Sequence, residues 1–363
     1  MTTATVDLGA IAHNLDLVRG VVSDSDVMGV IKADAYGHGA IRIASALRGR
    51  GVKWLGVALP REALDLREAG DTGRILAWLW APGDEDIERC VATEVDLGVS
   101  NSRMLQEVCA GAIATGKKAR VQLKVDTGVS RNGCSLSQWP ALIAETLEAG
   151  PLVEVTGMWS HLANADIPNH RSVHEQRLLF DQACAMAEAI GLGIPLRHLA
   201  NSPAALLCPE THYDLVRVGI ALYGVSPVEG NDFGLRPAMA LVSTVASVKT
   251  VEAGASVSYG ATWTATEETS IALVLGGYAD GIPRSASNRA EVFINGRLHP
   301  IVGRVAMDQF MVALQGEARA GDEVIIFGAA PTANDLARAC DTIGYEIVTR
   351  IGPRVPRVYV GAP

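Results

Sequence analysis

Short apolar runs alternate with stretches of helical periodicity along the first two-thirds of the chain. The runs fall at residues 27–31, 54–58, 74–79, 95–99, 120–125, 153–160, 196–200 and 215–218. Each is short enough, and bounded by enough polar or turn residues, to be a buried strand. Between them lie patterns such as Met104, Leu105, Val108, Cys109, Ala112, Ile113, and Leu179, Ala183, Met186, Ala187, Ile190, which mark one face of a helix. Eight strands alternating with helices over about 230 residues predict an α/β fold, a (β/α)8 TIM barrel over residues 9–236. A doubly wound sheet is the competing architecture, but it gives no reason for eight comparable units.

The pattern changes near Gly234-Leu235-Arg236-Pro237. Beyond it, short alternating runs at 241–251, 270–275, 290–294 and 323–327 are broken by Gly-Ala, Asn-Gly and Gly-Asp turn signals. They predict a smaller, mostly β domain over residues 237–363, with one late helix at about 332–341 and with residues 1–8 as candidates for packing on it. No low-complexity linker separates the two parts, so direct packing between them is expected.

Composition narrows the function. At 363 residues with 48% hydrophobic content, two domains are the natural reading. A net charge of −9 argues against a nucleic-acid or acidic-membrane partner. Six scattered cysteines form neither a C-x-x-C pair nor a metal-spaced cluster with histidine, so reduced thiols, a cytoplasmic setting and no metal are expected. The first residues lack the basic and apolar regions of a signal peptide, and no apolar run reaches membrane-spanning length.

The unusual polar residues sit just after the strand runs. Lys32 ends the first one, where an ammonium on the rim of an apolar core is costly unless it is paired or has a lowered pKa. A lysine of lowered pKa condenses with aldehydes, as in enzymes that hold pyridoxal phosphate; the plainer reading is a lysine snorkelling to solvent. Lys124 and Arg131 lie seven residues apart after the fifth run, and two such cations call for an anion, unless they are a plain surface pair. His161 follows the sixth run and suits a buried structural role as well as a catalytic one. Asn201-Ser202-Pro203 and Arg217-Val218-Gly219-Ile220 follow the last two runs, where barrel enzymes commonly seat a phosphate.

Spaced motifs running nearly end to end resemble the alanine racemase family. They are V-I-K-A-D-A-Y-G-H-G at 30–39, L-K-V-D-T-G at 123–128, H-L-A-N-S at 198–202 and R-V-G-I-A-L-Y-G at 217–224. The β part adds V-S-Y-G at 257–260, G-Y-A-D-G at 277–281, V-G-R-V-A-M-D-Q at 302–309 and Y-E-I-V at 345–348. The resemblance implies a homodimeric, pyridoxal-phosphate-dependent racemase that interconverts L- and D-alanine and supplies D-alanine for peptidoglycan. It implies Lys32 as the Schiff-base lysine and one catalytic base, and Tyr259 of the partner subunit as the other. Tyr36, Ser202, Gly219, Ile220 and Tyr345 would hold the phosphate, with Asn201 beside them, and Arg217 would face the pyridine nitrogen. Arg131 and the Met307 amide would bind the substrate carboxylate. Lys124 would be carbamylated and would orient Arg131. His161 would hydrogen-bond towards Arg217 and Tyr259, and Tyr278 with Tyr345 would gate the entrance.

One position departs from the family pattern: Ala306 stands before Met307 where many members carry cysteine. A racemase for other small amino acids, such as serine, is the alternative reading. A fold-related decarboxylase would use a carboxylate where this chain has Arg217. A non-catalytic cofactor-binding barrel would lack the β domain altogether.

Overall fold

The computed structural model describes residues 2–22 and 24–362. Strand β1 (Thr3–Asp7) and the helix Leu8–Val22 precede eight parallel strands. These are β2 (Asp26–Val30), β3 (Trp54–Val57), β4 (Arg74–Ala77), β5 (Asp96–Val99), β6 (Ala119–Lys124), β7 (Val153–Trp159), β8 (Arg197–His198) and β9 (Leu215–Val218). They pair in the order β8-β7-β6-β5-β4-β3-β2-β9. The β8–β9 seam is bridged by two backbone hydrogen bonds, Asp214 N to Arg197 O at 3.1 Å and Arg217 N to Ala200 O at 3.0 Å. The result is a nearly closed barrel. Its seventh run shrinks to two ladder residues, and at its end the His198 carbonyl accepts from both Ser160 N and the Arg217 guanidinium, while the Leu199 carbonyl accepts from Arg217.

Strand lengths and burial explain why the runs read so clearly. Every residue of β3, β5 and β9 is buried, as expected for strands covered on both faces. Met28, Trp54, Leu76 and Leu215 plug the lower interior. Glycines start several helices' exits and one helix's approach, but the backbone feature that matters lies directly after β2. Ala33, Asp34, Ala35 and Tyr36 all have φ between 51° and 54°, which makes one left-handed helical turn without a single glycine. Such a turn costs about 4–8 kcal/mol at roughly 1–2 kcal/mol per residue. It is held from several sides. Ala35 N donates to Ile31 O and Gly37 N to Ala33 O, while the Glu62 carboxylate accepts from Ala33 N at 2.6 Å. Asp34 Oδ1 accepts from Ala40 N at 2.8 Å, which fixes the start of the helix Ala40–Gly49.

The second part is built on β10 (Met239–Val251). After the short pair β11 (Ser256–Val257) and β12 (Trp263–Thr264) come β13 (Thr269–Leu275), β14 (Glu291–Ile294), β15 (Arg297–Val302), β16 (Gln309–Ala313), β17 (Glu323–Phe327) and β18 (Arg357–Val360). The length of β10 lets it pair with β17 along Leu241–Thr244 and with β13 along Val245–Val251. Strands β13, β16, β15, β14, β17 and β10 therefore close a ring. The amino-terminal β1 pairs antiparallel with β10 and parallel with β18, so it belongs to this sheet and not to the barrel. The late helix spans Ala333–Ala339, capped by Thr332, whose side chain accepts from Asp335 N. Strands β15, β16 and β18 and the helix Gly344–Thr349 were not among the expected elements.

The two parts are tied directly. Arg357 of β18 donates to Gly37 O at 3.0 Å, and the Tyr359 hydroxyl donates to His38 O at 3.1 Å. Both bonds clamp the chain just past the left-handed turn. Gly37 is needed there: its φ is 81°, and a Cβ would come within 2.4 Å of Val348 O.

Candidate active site

A cavity of about 220 Å³ opens at the carboxyl ends of the barrel strands, the face on which such barrels carry their chemistry. Its wall includes Lys32 after β2, Lys124 at the end of β6, Arg217 in β9, and Arg131 from the loop after β6. His161, Asn201, Ser202, Gly219, Ile220, Tyr36 and Tyr345 complete the set singled out from the sequence on this face. Four cationic side chains therefore line the cavity, and among the described residues no carboxylate does.

Lys32, Lys124 and Arg217 feel this. Burial lowers the Lys32 pKa, Arg131 lowers it further, and Glu62 partly offsets both. Lys124 is pushed down to about 8, by burial first and then by Arg217 and Arg131. Its Nζ rests over the Trp159 ring at 4.3 Å. Burial takes Arg217 down to about 9, so it stays charged at neutral pH. Its two terminal nitrogens are saturated by neutral acceptors: His198 Nδ1 at 3.1 Å, His161 Nδ1 at 3.2 Å, and the carbonyls of His198, Ser160 and Leu199. Arg217 Nε donates to no protein group among the described residues. Neither does any nitrogen of Arg131.

The opposite wall is a set of hydroxyls and amides. The left-handed turn swings Tyr36 beneath Gly219, and its ring packs on Tyr223 at 4.9 Å and Tyr345 at 6.3 Å. Ser202 Oγ accepts from Gly219 N at 2.9 Å, leaving its own proton to donate. Asn201 caps the helix Ser202–Leu207 by accepting from Ala204 N at 3.3 Å. The hydroxyls of Tyr36 and Tyr345 and the Ile220 amide have no protein partner among the described residues. A wall of unpaired donors without a carboxylate fits a phosphate, and the free Arg217 Nε fits a ring-nitrogen acceptor. Pyridoxal phosphate carries both groups together with an aldehyde for Lys32, so the residues fit it.

Three residues singled out from the sequence lie elsewhere. Tyr259, Met307 and Tyr278 do not line the cavity and are 71%, 52% and 45% exposed. Contact between His161 and Tyr259 is accordingly absent within one chain, and Tyr278 stands apart from Tyr345. The three are neighbours of one another. Ser258 Oγ donates to Arg304 O at 2.7 Å, Tyr278 N to Ala306 O at 3.0 Å, and Ala279 N to Met307 O at 3.1 Å. These bonds stitch the loops of all three into one exposed patch of the β part.

Sequence reasoning missed several residues that shape the cavity. Trp78 and Trp159 form its apolar wall, with ring centroids 6.1 Å apart. Glu62 spans the Ala33, Ala58 and Leu59 amides next to Lys32. The only local signal for Glu62 was its place three residues after Leu59 at a helix start; nothing local marked the tryptophans.

Barrel, β ring and lysine-bearing cavity together define a two-part barrel protein whose site is built for anionic ligands beside a lysine of lowered pKa. Comparison with known proteins makes that more specific. The alanine racemase amino-terminal domain family matches residues 6–227, and the carboxyl-terminal domain family matches residues 238–359. The alanine racemase of Streptomyces coelicolor is 48% identical, over 98% of this chain and 95% of its own. That of Thermobifida fusca is 47% identical, over 99% and 98%. The crystal structure of alanine racemase from D-cycloserine-producing Streptomyces lavendulae superposes with a TM-score of 0.98 at 49% identity, covering 100% of this chain and 97% of that one. The chain belongs to the alanine racemase family, whose members use pyridoxal phosphate.

The phosphate wall generates a test. A Cβ on Gly219 would lie 2.4 Å from the Tyr36 hydroxyl and 2.9 Å from Cζ, and Tyr36 is packed too closely to yield. Gly219→Ala is expected to weaken pyridoxal phosphate binding by about 5- to 150-fold, the scale of an overpacking cost of ~1–3 kcal/mol. Titration of the apoenzyme with cofactor measures this, and unchanged affinity would show that Tyr36 and Gly219 do not form the phosphate wall.

Proposed function

We propose that the protein is a pyridoxal-phosphate-dependent racemase that interconverts L-alanine and D-alanine in the cytoplasm, supplying D-alanine for peptidoglycan. The observation that carries this reading is the cavity of four cations and no carboxylate at the barrel mouth. Such a cavity calls for anionic occupants, and a cofactor phosphate and a substrate carboxylate are two. Lys32 would anchor the cofactor aldehyde. Tyr36, Ser202, Gly219, Ile220 and Tyr345 would hold its phosphate, with Asn201 fixing the helix start beside them, and Arg217 Nε would meet its ring nitrogen. When bound, the cofactor draws electrons from the substrate Cα and makes the proton there labile.

The chain's own groups then determine what happens to that proton. Lys32 Nζ has a lowered pKa and can take up a proton on one face of the substrate. Racemisation needs a second base on the other face. Tyr259 of the partner subunit fills that role in a homodimer with shared sites. The exposed patch of Tyr259, Met307 and Tyr278 supports this arrangement, because it presents a phenol, an apolar side chain and the free Met307 amide outwards together. Arg131, without any protein partner, would grip the substrate carboxylate with the Met307 amide of the partner subunit. Arg217 is always a donor and releases no proton to the ring nitrogen, which restrains electron withdrawal and favours return of the proton over side reactions. Tyr345 with Tyr278 of the partner subunit would narrow the entrance. The same reading divides the chain at 236/237 and assigns residues 1–8 to the second domain, supported by the pairing of β1 with β10 and β18.

The purified holoenzyme is expected to form D-alanine from L-alanine, and Lys32→Ala to lose both racemisation and the cofactor's Schiff-base absorbance. Full activity in Lys32→Ala without an added amine would remove the reading. Parallel assays with L-serine and L-lysine decide whether Ala306, smaller than cysteine, widens the substrate range.

Lys124 yields a separate expectation. A pKa of about 8 leaves an appreciable neutral fraction near neutral pH, which is the form that reacts with carbon dioxide. Native mass spectrometry in bicarbonate is expected to show one carbamate per chain that Lys124→Ala lacks. That variant should raise KM for alanine more than it weakens cofactor binding. A fully active enzyme with unmodified Lys124 would assign the counter-charge of Arg131 to another anion.

A further inference from the structure

Below the cavity, the barrel interior carries a chain of polar side chains of which only the last, Arg217, lines the cavity. It runs from Asp96 on β5 through Gln122 on β6 and His198 on β8 to Arg217 on β9, all buried. Asp96 Oδ1 accepts from Arg74 at 3.0 Å and from the Thr156 hydroxyl. Asp96 Oδ2 and Gln122 Nε2 are both buried and neither has a hydrogen-bond partner among the described residues, an acceptor and a donor left unpaired on neighbouring strands. Burial raises the Asp96 carboxyl, while Arg74, Thr156, Arg120 and the Gln122 amide all oppose that rise. Gln122 Oε1 lies 2.7 Å from His198 Nε2, and His198 Nδ1 lies 3.1 Å from the Arg217 guanidinium. The Trp159 ring stacks flat on the imidazole at 5.7 Å.

We infer that Asp96 and Gln122 are positioning residues that set the tautomer of His198 and, through it, the orientation of Arg217. The logic is one of donors and acceptors. A carboxylate only accepts, so it draws the amide nitrogen of Gln122 towards itself. The amide oxygen is thereby turned to His198, and because it also only accepts, the imidazole proton resides on Nε2. Nδ1 is left with a lone pair facing Arg217, which has only donors to offer. With the proton on Nδ1, two N–H groups would face each other and Arg217 would lose one of its five acceptors. Those acceptors saturate the terminal nitrogens and leave Nε for the cavity. A single charge on the far side of the barrel interior thus fixes the donor at its mouth. Asp96→Asn removes the constraint, because an asparagine can donate to Gln122 Oε1 and let the whole chain of hydrogen bonds run backwards.

The role of Arg217 towards the cofactor rests on the function proposed above; the tautomer does not, so the two can fail separately. The test is nitrogen NMR of the holoenzyme labelled with 15N in its histidine rings, with the His198 signals assigned by their loss in His198→Gln. Wild-type His198 is expected to be neutral with its proton on Nε2. In Asp96→Asn and in Gln122→Met the expectation is a mixed or reversed tautomer. The absorbance band of the bound cofactor should shift in both, and kcat for alanine should fall by about tenfold with KM within about twofold, the scale of outer-shell substitutions. A purely structural role for Asp96 would leave the His198 tautomer unmoved. The inference is overturned if wild-type His198 carries its proton on Nδ1 or on both nitrogens, or if Asp96→Asn keeps the Nε2 proton. Should Gln122→Met not fold, the wild-type and Asp96→Asn spectra decide alone.

Discussion

Four cations in one small cavity, with no carboxylate among them, form the constraint to which the rest of the site answers. An uncompensated buried charge costs several kcal/mol, and a second nearby cation adds to it. The chain meets this cost without cancelling it. Arg217 is held by five neutral acceptors, Lys124 rests on the face of Trp159, and Lys32 has its pKa lowered. The Glu62 carboxylate raises the Lys32 pKa in part, but its oxygens are engaged by three backbone amides. The charge is left for occupants to neutralise.

Placing Lys32 and Tyr36 on one cavity requires the backbone to reverse sharply after β2. The left-handed turn from Ala33 to Tyr36 does that, and it stores strain at the functional site. What makes the turn affordable is distant in sequence: Glu62 caps it, and Arg357 and Tyr359 of β18 clamp the residues beyond it. The β part therefore does more than stand beside the barrel. It holds the segment that carries the lysine, while its own Tyr259 and Met307 point away from this chain's cavity.

Much of this was legible in the sequence, for physical reasons. Barrel strands are covered on both faces, so they read as unbroken apolar runs, and a lysine or arginine at the end of such a run stands out. The β part was harder. β15 contains Pro300, which argues against a strand until the ladder is seen, and β18 reads as a short arginine-rich tail. The left-handed turn was invisible, because Ala33, Ala35 and Tyr36 carry no local preference for positive φ and one aspartate among them is too weak a signal; only Gly37 and Gly39 hinted at unusual backbone. Asp96, Gln122, Trp78 and Glu62 reach the site through strand register and helix packing, which no local pattern records. Tyr259 and Met307 came from family resemblance alone.

The central claim is that one chain's cavity is incomplete and that a partner's Tyr259 supplies the missing base. Subunit exchange between Lys32→Ala and Tyr259→Phe proteins tests it most directly. In a hybrid dimer with shared sites, one site carries both defects and the other is whole. Equimolar mixing should therefore restore roughly a quarter of wild-type racemisation, since half the dimers are hybrid and half their sites are intact. If exchange is verified by mass spectrometry and activity stays at the level of the two parents, each chain uses its own Tyr259 and the shared site does not exist.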